Sequence, residues 1–232
     1  MRERGETVRQ TPKSMWSLET LGRTRLSRYF FLRDFMHSEI SAFYGIPNIP
    51  ENPDAVVAAG KALAQTLLDP LVETFGPIAI RSGYRSAVLN KFGNDHKLNC
   101  ARNDANGAAR IWERTDRHGN RGACATIVIP WFADQYDQGR DWHDLAYWIH
   151  DHLNYHEQYF FPKLAALNLT WRENPQGRIL SYIAPKGRLL ASGAEPAEPK
   201  AQRQKRYADF PPFRGITYPP LPKRWRRDTD EP

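Results

Sequence analysis

Residues 78–104, IAIRSGYRSAVLNKFGNDHKLNCARND, form the densest run of groups able to bind a ligand or do chemistry in this 232-residue chain. Ile78, Ala79 and Ile80 follow the turn signal Gly76-Pro77 and read as a short buried strand. Ser82-Gly83 ends that strand, where Gly83 supplies backbone freedom. Tyr84 and Arg85 then stand at the end of a rigid element, which can aim both side chains into a cleft. Asn90, His96 and Asn103 follow. Imidazole and carboxylate suit zinc, whereas an amide oxygen is an uncharged, weak donor. Further ligand types come from Asp104, His118 and the cluster His150, His152 and His156, in which pairs can share one face of a strand or helix. Cys100 is close to His96 in sequence, but a Cys–His nucleophile requires proximity in space. His37 and His143 are isolated and read as surface or satisfied core residues.

The elements that must position these groups are partly legible. Asn52-Pro53-Asp54 is a capped helix start, and Val56, Val57, Leu63, Leu67, Leu68, Leu71 and Phe75 recur at helical spacing. This predicts a core helix to Phe75, kinked at Pro70. Residues 122–130 read as the clearest second strand, and residues 141–152 as an amphipathic helix. Residues 159–161, 167–171 and 179–183 read as further strands. Residues 17–50 suggest a short strand and then a helical turn. Residues 88–121 read as a long polar loop, with Ile111 and Trp112 marking a strand inside it.

The stretch Arg81-Ser82-Gly83-Tyr84-Arg85-Ser86, followed by Asn90, resembles the SGYRS…N segment of the zinc D-alanyl-D-alanine carboxypeptidases, a family that shares its fold with the Hedgehog signalling domain. In that family an SxHxxGxAxD segment follows, and its His and Asp bind zinc. Residues 94–103 fit the same frame, with His96 on the ligand His and Ala101 on the Ala; Asn94, Asn99 and Asn103 replace the Ser, Gly and Asp. A second register fits the strand at 122–130, with Thr126 on the Asp. A late family strand, FxHxD, supplies the last His; here Leu167-Asn168-Leu169-Thr170 stands in its place, with Asn168 at the His. The resemblance covers roughly residues 20–180, including the FMHSEI segment and Asp69-Pro70-Leu71. It implies an α+β fold, a small, mostly antiparallel sheet with packed helices. It implies a zinc site on His96, with Asn103 or Thr126 as the second ligand and Asn168 as the third; Asp104 and His118 are replacement ligands that the chain itself offers. It also implies a substrate wall of Ser82, Tyr84 and Arg85, with Arg85 holding a terminal carboxylate through two parallel hydrogen bonds. The alternative for Tyr84 and Arg85 is that they brace the strand-to-loop turn.

Composition bounds the rest. A 41% hydrophobic chain with 28 aromatic residues (7 Trp, 10 Tyr, 11 Phe) holds one domain with a real core. The domain is expected over residues 17–190, between a disordered basic tail at 1–16 and a disordered Pro/basic tail at 191–232. A net charge of +7 suits anionic partners, either a carboxylate ligand such as a peptidoglycan peptide or nucleic acid. Pro219–Arg224 fits a PxxPx+ ligand, and Lys223–Arg227 sets Trp225 among bases. Cys100 and Cys124 form no CxxC pair. The charged N-terminus lacks a signal-peptide core, and no apolar run reads as a membrane span, so a cytoplasmic location is expected.

Three functional expectations follow. The first is a peptidase-like domain directed at peptidoglycan stem peptides, cellular or phage-related, and a zinc carboxypeptidase if active. The second is a non-catalytic binding or structural module on the same scaffold, favoured by the amides that stand at the ligand positions. The third is a nucleic-acid binder acting through basic tails.

Overall fold

The computed structural model describes residues 8–184 and 186–213. In chain order its elements begin with α1 (Met15–Gly22), a 3₁₀ turn (Leu32–Phe35), α2 (Glu39–Tyr44), α3 (Pro53–Leu63), a π turn (Ala64–Leu68) and α4 (Asp69–Phe75). Then come β1 (Ala79–Ser82), α5 (Ala87–Asp95), α6 (Asn103–Asn106), β2 (Gly122–Val128), α7 (Pro130–Asp137) and α8 (Trp142–His152). The last group is β3 (Glu157–Phe160), a 3₁₀ turn (Lys163–Ala165), β4 (Leu167–Arg172), β5 (Arg178–Ser181), β6 (Gly187–Leu190) and α9 (Lys200–Arg206).

The strands form one six-stranded sheet in the order β1-β2-β4-β3-β5-β6. All neighbours run antiparallel except β3 and β5, which run parallel. The chain is therefore a mixed α/β protein with a mostly antiparallel sheet and packed helices, as the sequence predicts at that level. The segment Pro53–Phe75 packs against β2 and β4 and buries Val56, Leu63, Leu67, Leu68 and Leu71 completely. Its length and apolar composition match a membrane-crossing helix, but here its apolar side is the core beneath the sheet. The expected kink at Pro70 takes another form. A π turn precedes the proline, with the Asp69 N–H reaching back to the Ala64 carbonyl, so the missing Pro70 donor falls in the first turn after the widened ladder.

Several boundaries differ from expectation. Ser86 caps α5 by accepting from the Leu89 N–H at 3.2 Å, so a helix replaces the start of the expected polar loop. Ile111 and Trp112 are buried in a turn held by one isolated bridge rather than in a strand. Residues 17–50 hold helical turns and no strand beyond the isolated Arg25–Phe31 bridge. Gly83 has no left-handed backbone; it is required because a Cβ there would meet the Phe35 carbonyl oxygen at 2.7 Å.

Neither expected tail is free along its described part. Arg9 pairs with Asp54, Thr11 Oγ1 donates to the Glu51 carbonyl at 2.7 Å, and Ser14 caps α1. Residues 191–213 fold back onto α8. Arg203 pairs with Asp151 with both side chains almost wholly buried, and Tyr207 OH donates to Asp151 Oδ2 at 2.7 Å. Phe210 enters the core beside Trp131, with ring centroids 5.1 Å apart. These few anchors outweigh the polar composition around them. The Pro219–Arg224 and Lys223–Arg227 motifs lie outside the described residues.

Candidate ligand-binding cleft

Strand register lays Ser82, Thr126, Asn168 and Tyr159 in a row across β1, β2, β4 and β3. Paired residues on neighbouring strands face the same side, so this row forms a floor. Thr126 Oγ1 donates to Asn168 Oδ1 at 2.7 Å. Segment 107–111 is pinned over the row: the Arg85 N–H donates to the Arg110 carbonyl at 2.8 Å, and the Cys124 N–H to the Ala109 carbonyl at 2.8 Å. From there Arg110 reaches down. Its Nη1 donates to the Ser82 carbonyl at 2.9 Å, and its Nη2 donates to Asn168 Oδ1 at 2.8 Å and to Thr126 Oγ1. A guanidinium thus occupies the point on which Thr126 and Asn168 converge.

Beside it, Arg85 Nη1 donates to Asn90 Oδ1 at 3.1 Å and to Cys100 Sγ at 2.9 Å. Burial lowers the Arg85 pKa, opposed by Cys100 and reinforced by Arg110. Asn90 is fully buried, and its amide is saturated. Its Nδ2 donates to the Ala101 carbonyl (2.9 Å) and Asn103 Oδ1 (2.8 Å), while Oδ1 accepts from Arg85 and from Asn106 Nδ2 (3.0 Å). Gly93 lets this knot close, because a Cβ there would lie 2.4 Å from Cys100 Sγ. Asn90 is therefore the hub that binds α5 to the 100–106 segment.

Arg85 and Arg110 open on a cleft of about 910 Å³. Arg81 and Lys163 add two more cations to its wall, and Glu39 is the only acidic side chain among the described lining residues. Neither Arg85 nor Arg110 pairs with a carboxylate among the described residues. Tyr159, Phe161 and Tyr182 form an aromatic cluster at the β3 end of that floor, with the Tyr159 and Tyr182 ring centroids 4.9 Å apart. The arrangement favours an anionic group on the guanidiniums and an apolar or planar body against the rings.

The residues nominated by sequence part company here. Ser82 and Arg85 line the cleft. Tyr84 does not: it is 1% exposed, its hydroxyl donates to Glu113 Oε1 at 2.9 Å, and burial followed by the charge of Glu113 pushes its pKa far up. His96 is exposed at the end of α5, stacks on Phe92 at 4.0 Å and turns Nδ1 to the Phe92 carbonyl, so it shares no wall with Arg85. Asn103 is spent on Asn90 and on the Ala87 carbonyl. Asp104 and His118 line a different cavity. His150 meets the Tyr155 hydroxyl and His152 the Trp148 carbonyl, so the histidine cluster does not converge either. Cys100 and Cys124 are both free and buried.

Zinc fits neither set. No group of three His, Cys, Asp or Glu side chains able to hold a metal occurs among the described residues. Thr126 and Asn168 do converge, but they offer a hydroxyl and an amide already engaged by a fixed cation, which repels a second one. Arg110 lies in a polar stretch with no motif around it, so no pattern in the sequence marks it. Its one signal is the flank Ala108-Ala109-Arg110-Ile111-Trp112, a lone charge among residues small or apolar enough to be buried. No protein-family model, curated protein or solved structure matches this chain.

Proposed function

We propose that this chain is a non-catalytic binding module on a Hedgehog/DD-carboxypeptidase-like scaffold, whose cleft receives the terminal carboxylate of a peptide. The observation that carries this reading is the Arg110 guanidinium held between Thr126 and Asn168, the two positions that stand for zinc ligands in the resemblance. A metal centre polarises a carbonyl and delivers hydroxide. A guanidinium can only hold charge and donate hydrogen bonds, so the same position becomes a receptor for an anion. Arg85 supplies the second cation, and the aromatic cluster offers a surface for the adjoining side chain. The peptide class implied by the resemblance is a peptidoglycan stem peptide ending in D-alanine.

Calorimetry with an acyl-D-Ala-D-Ala peptide and its C-terminal amide tests the proposal. Binding should require the free carboxylate and fall roughly tenfold or more in Arg85→Gln, the loss of one charge-assisted pair. Equal binding of acid and amide would exclude carboxylate recognition. Release of D-alanine by the zinc-supplemented chain would return it to the enzymes.

A further inference from the structure

A second cavity, of about 840 Å³, shares no described lining residue with the cleft. It lies between the turn at 116–120 and the ends of β4 and β5. Arg117, Arg172 and Arg178 stand on its wall with His118 and His156, and Asp104 and Asp116 are its carboxylates.

A cation does not suit this place. Asp116 already accepts from the N–H groups of His118 (2.8 Å) and Asn120 (3.0 Å) and from Arg172 Nη1 (3.3 Å). Asp104 pairs with Arg102 at 3.1 Å. His118 Nε2 accepts from Arg117 Nε at 3.0 Å, so its lone pair is taken. What the wall lacks is acceptors. Buried side-chain polar atoms without a partner include Arg172 Nε and Arg178 Nε, both of residues lining this cavity, and His156 Nδ1 has only the Asn174 backbone near it. His156 is 4% exposed, and burial together with Arg172 and Arg178 holds its pKa down to about 4. The imidazole is therefore neutral at pH 7. Its Nε2 faces Arg178 Nη2 at 3.3 Å and accepts from it, which leaves the hydrogen on Nδ1. Two unmet guanidinium donors and an imidazole N–H met only by the Asn174 backbone, with no unmet acceptor on this wall and under an excess of guanidinium, call for ligand oxygens.

We infer that this cavity is an oxyanion site for phosphate, free or as the phosphoryl group of a larger molecule, held by Arg117, Arg172 and Arg178 with His156 as a neutral donor. The unmet nitrogens are screened from solvent, so binding requires the guanidiniums to turn toward the ligand as it enters. Arg178 gives up part of its pairing with Glu157, now at 2.7 Å.

The test is NMR of the imidazole and guanidinium nitrogens in the full chain, titrated at constant ionic strength with sodium phosphate, glycerol 3-phosphate or sodium chloride. Both phosphates should give saturable shifts at His156 and Arg178, and chloride none. A response to phosphate alone assigns the site to the free ion; a response to the ester as well assigns it to phosphoryl groups. Arg117→Gln, in an exposed turn, should weaken binding roughly tenfold. Equal shifts with chloride or no effect of Arg117→Gln would each overturn the inference, and neither bears on peptide binding in the cleft.

Discussion

Arg110 Nη2 lies 2.8 Å from Asn168 Oδ1, and the same nitrogen donates to Thr126 Oγ1. Two neutral side chains on neighbouring strands thus share one cationic partner that comes from outside the sheet. In Arg110→Ala they keep each other, but the Ser82 carbonyl loses its side-chain donor and the floor loses its charge. Removing a partner from a half-buried polar group costs about 1–3 kcal/mol, which a shift in the urea midpoint should register. Peptide affinity should fall at the same time. A variant that loses stability but binds as before would show that Arg110 only braces segment 107–111.

The convergence of positions 110, 126 and 168 has a constructive test. Arg110→His, Thr126→Asp and Asn168→His together replace a guanidinium, a hydroxyl and an amide by two imidazoles and a carboxylate. That donor set leaves one tetrahedral position of zinc open. Equilibrium dialysis should find stoichiometric zinc on the triple variant and none on the parent. Failure of the folded variant to take zinc would mean that these side chains do not surround a common centre, whatever the resemblance implies.

Asn90 offers a third prediction. Its two donors and its acceptor oxygen all have partners, so no substitution preserves the set. Asn90→Asp keeps the acceptors for Arg85 and Asn106 but turns a carboxylate oxygen toward the Ala101 carbonyl and Asn103 Oδ1. Chemical denaturation should show Asn90→Asp and Asn90→Ala each destabilised by about 2–4 kcal/mol. A loss of only a few tenths would mean that α5 is held by its apolar contacts, not by this amide.

The legible and illegible parts of the chain divide on physical grounds. Pro53–Phe75 was readable because its buried residues are apolar and fall at helical spacing, and β2 because it is a continuous small and apolar run. α5 was not, because the residue at the centre of its buried face is Asn90, which counts as polar in any pattern. The cleft was half legible: Ser82 and Arg85 sit at a strand end, but Arg110 arrives from an irregular segment. Residues 191–213 read as a tail because Arg203, Tyr207 and Phe210 are sparse among Pro, Ala, Lys and Arg, and their partners Asp151 and Trp131 are distant in sequence.

His156 should shape the acid limb of stability. Its folded pKa of about 4 lies below the ordinary 6.5 because of burial and of Arg172 and Arg178. The unfolded chain therefore takes up a proton on this ring as the pH falls below about 6.5, while the folded chain stays neutral until about 4. Stability contributed by the neutral ring is complete above that window and falls as the pH drops through it. Between about pH 6.5 and 5 the loss is ~2 kcal/mol, and His156→Asn should remove most of that slope. Urea midpoints across the range decide it; parallel profiles for both proteins would mean that carboxylates alone set the acid limb.

The buried ion pair at the C-terminal strap is the last test. Arg203 and Asp151 have side chains only 5% and 3% exposed, and Arg203 Nη1 also donates to the Glu198 carbonyl at 2.6 Å. Arg203→Ala leaves Asp151 buried with only Tyr207 to donate to it, and breaking one side of such a pair costs about 3–5 kcal/mol. Asp151→Asn with Arg203→Met, which removes both charges, should recover most of the loss, because the penalty lies in the orphaned charge and not in the missing attraction. A chain ending at residue 190 should be weaker still, since it also exposes the contacts of Tyr207 and Phe210, each worth about 1.5–3 kcal/mol. Thermal unfolding of the three proteins gives the order directly. A truncated chain as stable as the parent would show that residues 191–213 rest on the domain without supporting it.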